Sequence, residues 1–386
     1  MRKIAVLAAA GGLAVLLGQR ETLPGDPLPG ITVAEFERFR IGLEDFTEVE
    51  DAEEGLGPAF NGTSCAGCHN VPAIGGAGTI TEVRAGRRDE DGEFHELPGG
   101  TLFHLFSIPD HRCQVKIPPE ANVIARRISI PLFGAGLIEA IPDATLIALE
   151  DPEDANGDGV SGRAARIEDL ATRQMRIGRF GWKAQHATLL AFAADAYRNE
   201  MGITNELFPD ELAVGVDART MAECDPAPDP EDVADPRTRL RGIDNFEAFL
   251  RLLAPIPRLA IDNEVRFGES VFQGIGCGAC HITQLDTGPS TNPVFDRKPV
   301  VLWSDLLLHD VGTGDGIRQA SGEPNEIRTP ALWGLRLRRP FLHDGSAATV
   351  DEAIRRHGRE AERSHERYVL LPDTARAAIL KFLRSI

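Results

Sequence analysis

Basic residues are scarce in this chain of 386 residues. It has 41 lysines and arginines against 59 aspartates and glutamates, a net charge of −18 and a pI near 5.0. A surface of that sign repels phosphate backbones, which argues against DNA or RNA binding. The charge favours solubility, and it would also steer a partner with a basic face toward this protein.

Aromatic residues are few as well, at 6% of the chain, although 42% of the residues are hydrophobic. The aliphatic content is sufficient for packed cores. A large flat cofactor would supply some of the apolar volume that aromatic side chains otherwise fill.

Only six cysteines are present, and four of them fall in two copies of one pattern, Cys65-Ala66-Gly67-Cys68-His69 and Cys277-Gly278-Ala279-Cys280-His281. C-x-x-C-H is the attachment signature of c-type haem, because two thiols one helical turn apart can bond to the vinyl groups while the adjacent imidazole binds the iron. A zinc site is the alternative, in which the two Cys pairs form a four-thiolate cluster or each pair recruits histidines. Zinc does not require a His directly after the second Cys, however. We therefore predict two covalently bound haems, with His69 and His281 as iron ligands.

The N-terminus and the two remaining cysteines bear on where the protein works. Residues 1–18 resemble a secretory signal, because Arg2 and Lys3 precede an apolar run that is too short to span a bilayer comfortably. This predicts a periplasmic protein, and an uncleaved N-terminal membrane tether is the alternative to cleavage. In an oxidising compartment Cys113 and Cys224 would tend to form a disulfide, whereas two buried reduced cysteines are the other interpretation.

Methionine is scarce too, and none of the four lies after Met221. A methionine ligand from the C-terminal region is thus excluded for the second haem. Thr349-Val350-Asp351-Glu352 has the form of a capping box and predicts a helix whose apolar side includes His357. We predict that His357 is the second ligand of this iron; a core histidine is the alternative, and His309 and His343 are rivals.

No residue stands out as the second ligand of the first haem iron. The candidates are His95, His104, His111, His186, Met175, Met201 and Met221. An open iron with an acid nearby could bind and cleave peroxide, whereas a closed iron could only pass electrons.

The periodicity of apolar residues predicts a mainly α fold of two cytochrome c-like haem domains, with a long irregular insertion in the first. Residues 1–30 would be signal and linker, 31–255 the N-terminal haem domain and 256–386 the C-terminal cytochrome c domain. Amphipathic helices are predicted at four places: before each motif, over 244–253, and after Asp373.

One loop has the composition of a cation site. Asp154, Asn156 and Asp158 alternate with small residues around a tight turn, as in the first half of a calcium loop. The twelfth position holds Ala165, which excludes a full EF-hand. Both a calcium site and a solvated turn without metal fit this pattern.

Several further stretches carry a family resemblance: 64–70, 131–139, 178–184, 304–310 and 328–345. They resemble the di-haem oxidoreductase/peroxidase family, often labelled thiol oxidoreductase-like, which is itself similar to the bacterial di-haem cytochrome c peroxidases. The resemblance runs from about residue 31 to the C-terminus. It implies two haem domains, peroxide chemistry and a small electron-donor protein, either a cytochrome or a cupredoxin.

The resemblance also implies roles for particular residues. In the peroxidases, a methionine closes the C-terminal haem fourteen residues after the His of a Pro-Tyr-Phe-His-Asp-Gly-like stretch. Here the stretch is Pro340-Phe341-Leu342-His343-Asp344-Gly345, and fourteen residues after His343 stands His357. His/His ligation would give this haem a lower potential than its peroxidase counterpart.

The catalytic Glu of the peroxidases corresponds to Glu200, which follows Phe180 by twenty residues, and Glu139 is a rival acid. A salt bridge to a nearby arginine is the structural alternative for either. In an alignment without gaps, Phe180 stands at the position of the Trp that relays electrons between the haems of the peroxidases, and Trp182 is shifted from that position. Trp182 and His343 are still expected to contact the cofactors. The position of the distal His is taken by Ala85.

The leading functional hypothesis is a periplasmic enzyme that reduces hydrogen peroxide with electrons that enter at the second haem. The alternatives are a non-catalytic electron-transfer cytochrome and an enzyme that uses peroxide to oxidise an organic or protein substrate. Fold-level analogy does not choose among them.

The two motifs make a direct prediction about mass. Protein from a host with the haem-maturation machinery should carry two haem additions in denaturing mass spectrometry, because thioether bonds survive unfolding. Two single variants, Cys68→Ser and Cys280→Ser, should each lose one of the two haem additions or show it in a smaller fraction of the molecules. A parent protein with one addition or none contradicts the prediction.

Overall fold

A computed structural model describes residues 21–108, 113, 116–212, 214, 216–225 and 227–386. The signal-like segment 1–18 and the candidate His111 lie outside these residues. The helices of the described chain are α1 (Val33–Thr47), α2 (Cys65–Cys68), α3 (Ala135–Glu139), α4 (Asp143–Ile147), α5 (Leu189–Met201), α6 (Ala218–Cys224), α7 (Gly242–Leu252), α8 (Asn263–Gly274), α9 (Val350–Arg355), α10 (Glu362–Leu370) and α11 (Asp373–Leu383).

Short strands connect these helices. They are β1 (Ala59–Phe60), β2 (Thr81–Arg88), β3 (Phe94–His95), β4 (Leu102–Phe103), β5 (Phe106–Ser107), β6 (Val123–Ile128), β7 (Ala165–Asp169), β8 (Gln174–Gly178), β9 (Leu285–Asp286), β10 (Pro299–Val300), β11 (Leu308–His309) and β12 (Ile327–Arg328). None of the helices in the described ranges is long and apolar enough to cross a membrane.

The prediction of a mainly α fold is wrong. About 30% of the chain is helical and about 15% is strand, in several small sheets. The difference arises in the stretch between the two motifs, where β2 pairs with β3, β4 and β6, and β7 pairs with β8. β2 and β6 carry several charged residues in place of a regular alternation of apolar and polar side chains, so their sequences give a weak strand signal.

The helix before the first motif is confirmed as α1. Its N-terminus has the capping box, in which Glu35 N–H donates to Thr32 Oγ1 at 3.2 Å and Thr32 N–H donates to Glu35 Oε2 at 2.7 Å. α1 packs against α7 at Gly42, where a Cβ atom would lie 2.1 Å from the carbonyl oxygen of Asn245. This close approach requires glycine, and it holds the helix pair beside the first motif.

The second motif has an equivalent support. α8 precedes it, as predicted, and packs against the closing helix α11. A Cβ atom at Gly268 would lie 2.0 Å from the carbonyl oxygen of Ala378, so here too a glycine permits close packing. The rings of Phe272 and Phe382 meet with centroids 5.3 Å apart.

The domain boundary near residue 255 stays a prediction. The largest cluster of buried apolar side chains includes residues from both sides of it, such as Phe249 and Leu253 on one side and Leu302 and Leu306 on the other. A second cluster around Phe272, Trp303 and Phe382 belongs wholly to the C-terminal region.

The disulfide between Cys113 and Cys224 is confirmed: their Cα atoms lie 6.0 Å apart and the two sulfurs are bonded. It ties the segment after β5 to the C-terminus of α6. The bond joins residues that are 111 positions apart in the sequence, and the loop that it closes contains few long helices or strands.

Removal of this disulfide should destabilise the protein. In the chain-entropy account a loop of this size contributes about 4–5 kcal/mol by restricting the unfolded chain. The double variant Cys113→Ser/Cys224→Ser should unfold at a clearly lower guanidinium concentration than the parent. If the midpoint and slope of the transition are unchanged, the disulfide does not restrict the unfolded state in solution.

Candidate functional site: two cavities that contain the motif histidines

Each C-x-x-C-H motif lines its own cavity. The first, of about 1180 Å³, contains Cys65, Cys68 and His69 in its wall, and the second, of about 1310 Å³, contains the corresponding cysteines and His281. Both volumes include space open to solvent, and the two cavities are similar in size.

The two motif histidines have the same hydrogen bond. Nδ1 of His69 lies 2.9 Å from the carbonyl oxygen of Gly76, and Nδ1 of His281 lies 2.9 Å from that of Trp303. A carbonyl only accepts, so Nδ1 carries the proton and Nε2 keeps its lone pair. Burial lowers the pKa of both imidazoles to about 4, which keeps them neutral. Both rings are thus prepared to bind a metal through Nε2.

The motif cysteines form no disulfide, unlike Cys113 and Cys224. Burial raises the pKa of Cys65 and of Cys277 to about 12, which disfavours thiolates. In the described residues, the groups of side chains that could hold a metal ion include no cluster with both cysteine pairs. The four-thiolate zinc alternative therefore has no support in the geometry.

Buried arginines make the cavities suitable for an acidic cofactor. Arg328 and Arg338 line the second cavity, and burial lowers the pKa of each to about 10. Nε of Arg338 has no hydrogen-bond partner among the described residues, and in the first cavity the same holds for Nη2 of Arg127. A buried guanidinium without a full set of partners is costly, and the propionates of a haem would satisfy it. The residues present fit haem in both cavities.

Glu200 lines the first cavity, as the family resemblance implies. It sits near the C-terminus of α5, where Asn61 Nδ2 donates to its Oε2 at 2.7 Å. Burial, and then the charge of Glu82, raise the pKa of Glu200 to about 8. At neutral pH this carboxyl holds a proton in the absence of a ligand.

Glu139 lies outside both cavities in the described structure. Its Oε1 accepts from Leu189 N–H at 2.8 Å and its Oε2 pairs with Arg251 Nη1 at 2.6 Å. These contacts connect α3, α5 and α7. They match the salt-bridge alternative that the sequence left open.

Sequence reasoning missed several other charged residues of the first cavity, among them Glu82 and Arg84 of β2. The segment has no motif, and its strand pairing with β6 depends on residues far along the chain. Only the charged Glu-x-Arg pattern inside a strand-like run could have drawn attention to it.

The first cavity contains no second histidine among the described residues that line it. Of the predicted candidates, His95 pairs with Asp89, His186 pairs with Asp195, and His104 faces the carbonyl oxygen of Asn199. Ala85, at the family's distal position, is fully buried on β2.

The methionine candidates differ in position. Met175 is exposed, whereas Met201 lines the first cavity with its Sδ 4.0 Å from Cys65 Sγ. Met201 therefore lies beside the motif cysteines, on the side of the cavity where a haem would be attached. Met221 belongs to α6 and is not part of the described lining.

The second cavity differs, because His357 lines it together with His281. The predicted helix begins as expected, with Thr349 capping α9, but it ends at Arg355. His357 lies just beyond, where its Nδ1 faces the carbonyl oxygen of Ala353 at 2.8 Å. Like the motif histidines, it therefore keeps its Nε2 lone pair.

The rival histidines are differently arranged. Nε2 of His309 lies 2.9 Å from Asp305 and Nδ1 lies 2.7 Å from Glu360. Burial alone would lower the pKa of His309, but the two carboxylates raise it well above its usual value, so the ring is an imidazolium without a lone pair for iron. His343 also lines the second cavity, as does His365, which the sequence analysis did not consider.

Trp182 lines both cavities. Its Nε1–H donates to the carbonyl oxygen of Ile128 at 2.8 Å, and its ring meets that of His343 edge-on, with centroids 6.1 Å apart. Phe180, the ungapped match to the family's Trp, stacks on Phe192 instead and is absent from the described lining of both cavities.

The loop with the calcium-like composition has internal hydrogen bonds. Asp154 Oδ1 accepts from Gly159 N–H at 3.0 Å, and Asn156 and Asp158 each accept from the backbone two residues on. Arg363 donates to the carbonyl oxygens of Gly157 and Asp158. These contacts favour the turn interpretation, and the calcium site stays a prediction from composition.

Two solved structures resemble this fold over most of the chain. They are hydrazine synthase of Kuenenia stuttgartiensis, at 15% identity over 100% of both chains with a TM-score of 0.42, and the diheme peroxidase BthA of Burkholderia thailandensis, at 15% identity over 93% of this chain and 86% of that one with a TM-score of 0.43. At these scores neither likeness carries an argument.

Sequence comparisons are more informative. The chain is 28% identical over 100 residues to cytochrome c551 peroxidase of Nitrosomonas europaea; this match covers 26% of the chain and 28% of that relative. Residues 113–386 match the family described as "Di-haem oxidoreductase, putative peroxidase". Because the match extends over most of the chain and includes the second motif, the protein belongs to the di-haem oxidoreductase family.

Proposed function

We propose that this protein reduces hydrogen peroxide to water at the first cavity, with electrons from a small redox protein that enter at the second. Two haems, which the family implies, would be attached covalently at the four motif cysteines. When bound, they supply an iron that binds peroxide and an iron that passes electrons.

The difference between the two cavities carries this proposal. The second holds two neutral histidines with Nε2 available, so its iron would be closed. The described lining of the first holds one histidine and a buried carboxyl that bears a proton. An open coordination position beside a proton carrier suits peroxide cleavage, whereas pure electron transfer needs neither.

Glu200 has a pKa suited to this role. A group whose pKa lies near the working pH can both release and accept a proton, which is the condition for general acid–base catalysis. The overall reaction takes two protons and two electrons for each peroxide and forms two waters. Glu200 would deliver protons at the cavity wall, held in position by Asn61.

Trp182 would connect the two cavities. It is the side chain that reaches both while its indole N–H is fixed by Ile128. We infer that electrons pass from the second haem to the first through or beside this ring.

The disulfide supports an oxidising compartment, and we propose that the protein works in the periplasm. Its electron donor would be a small cytochrome or cupredoxin with a basic face, since the net charge of −18 favours such a partner. Higher ionic strength should slow the association.

Replacement of Glu200 with glutamine should slow peroxide turnover. Gln keeps the size and can accept the hydrogen bond from Asn61, but it cannot carry the proton. Peroxide-driven oxidation of a reduced small cytochrome should fall at least tenfold, within the range of about 10²–10⁴ that such catalysts contribute. Haem content should be unchanged.

The matched control is Glu168→Gln, an exposed glutamate on β7. It should turn over like the parent. Parent-like turnover in the Glu200 variant would remove this residue from the mechanism, and a parent protein without turnover under half-reduced conditions would favour the electron-transfer alternative.

His357 makes a separate prediction. In His357→Gly the second iron should lose a ligand and become high-spin, and in His357→Met it should stay low-spin with a raised reduction potential. His95→Gln, at an exposed histidine that lines neither cavity, serves as the control. An unchanged spectrum in the Gly variant would transfer the ligand role to His343 or His365.

A further inference from the structure

Glu82 places a second carboxylate in the first cavity. It lies on β2, directly opposite Arg127 of β6, and it lines the same cavity as Glu200. Arg84 binds it with two hydrogen bonds, from Nε to Oε1 at 2.8 Å and from Nη2 to Oε2 at 3.0 Å. Arg127 Nη1 lies 3.6 Å from Oε1. Two cations therefore face Glu82.

The side chains of Glu82 and Glu200 lie in the same cavity, close enough for each to affect the pKa of the other. Two ionised carboxylates this close would repel strongly, so the pair shares one proton. Burial raises the pKa of Glu200 to about 8, and the charge of Glu82 contributes. Burial would also raise the pKa of Glu82, but Arg84 and Arg127 lower it. The proton therefore resides on Glu200.

We propose that Glu82 and Glu200 are a one-proton carboxyl pair in which Glu82 is the base and Glu200 the acid toward peroxide. When two neighbouring titratable groups have their acidities separated by the environment, they divide the acid and base roles between them. The proposal rests on the peroxide reduction inferred above and assigns a second catalytic residue to it.

The two carboxyls, protons from solvent and the electrons of the donor protein account for every proton and electron in the reaction. Glu82 takes a proton from one oxygen of hydrogen peroxide, and Glu200 gives its proton to the other oxygen, which leaves as water when the O–O bond breaks. The remaining oxygen becomes the second water with two electrons from the donor protein, the proton held by Glu82 and one proton from solvent. A second solvent proton restores Glu200.

Other charged or titratable groups also face the pair from the surrounding elements. They are Arg84 of β2, Arg127 of β6, His104 after β4, Asp195 of α5, and Cys65 and Cys68 of α2. The two arginines stay charged at any working pH. The cysteines do not titrate once they are thioethers. Glu50, which accepts a hydrogen bond from Tyr197 of the same cavity, also titrates near neutrality, because burial raises its pKa to about 7.

Infrared difference spectroscopy of the holoprotein, without peroxide, tests the pair directly. With ¹³C-labelled glutamate more than one buried carboxyl contributes near neutral pH, because burial also raises the pKa of Glu50, Glu139, Glu211 and Glu231. The carbonyl stretch of Glu200 is therefore the band that the parent shows at neutral pH and Glu200→Gln lacks, and it should disappear from the parent in the mildly alkaline range. In Glu82→Gln this band should disappear at lower pH, because the neighbouring charge is gone. No new band should replace it in Glu200→Gln, because the arginines keep Glu82 ionised.

Turnover provides a second readout. The parent should show a bell-shaped pH profile, whose alkaline limb follows the loss of the proton from Glu200. Glu82→Gln should lose the acidic limb, shift the alkaline limb to lower pH and fall at least tenfold in rate. If the two residues act as a unit, the double variant should be about as slow as the slower single variant.

Controls separate this inference from the proposed function. Glu96→Gln, an exposed glutamate between β3 and β4, should match the parent in spectrum and rate. If Glu82→Gln does not fold, the spectra of the parent and of Glu200→Gln still show whether Glu200 holds the proton of the pair, since both proteins keep Glu82 with its arginines. A parent-like pH profile in Glu82→Gln, multiplicative losses in the double variant, or no titrating carboxyl band that distinguishes the parent from Glu200→Gln each overturns the pair. A parent with the titrating band but without turnover overturns the peroxidase proposal instead.

Discussion

Each cavity depends on one hydrogen bond from a histidine ring to a backbone carbonyl. The loop that ends at Gly76 and the turn that ends at Trp303 present these carbonyls to His69 and His281. Each bond fixes the tautomer, and burial keeps the ring neutral. Without this arrangement Nε2 would not be an available ligand, and a cavity of this size would have no anchor for a metal cofactor.

Two pairs of packed helices hold those loops in place. α1 with α7, and α8 with α11, approach closely enough to need glycine at Gly42 and Gly268. The small sheets then bring charge to the first cavity, since β2 and β6 place Glu82 opposite Arg127. The helices thus hold the attachment sites and Glu200 of α5, while the strands place Glu82 and its arginines in the first cavity. In the second cavity Arg328 and Arg338 are positioned to compensate the acidic groups of a haem.

Much of this could be predicted from the sequence, because it depends on short-range patterns. The motifs, their leading helices, the N-cap at Thr349 and the pairing of Cys113 with Cys224 all follow from local spacing or from simple counting. The mainly α fold was wrong, because the short strands of the insertion are defined by partners far along the chain. The proximity of Glu82 and Glu200 escaped notice for the same reason. The family resemblance located Glu200, but the ungapped alignment favoured Phe180 where the structure has Trp182 between the cavities.

The central claim is an open first iron beside a proton-carrying carboxyl and a closed second iron between His281 and His357. Electron paramagnetic resonance of the fully oxidised holoprotein measures both irons at once. We predict equal amounts of one high-spin and one low-spin ferric haem. Two low-spin haems in the oxidised protein, with no high-spin signal after half-reduction, would contradict the claim and leave electron transfer as the function.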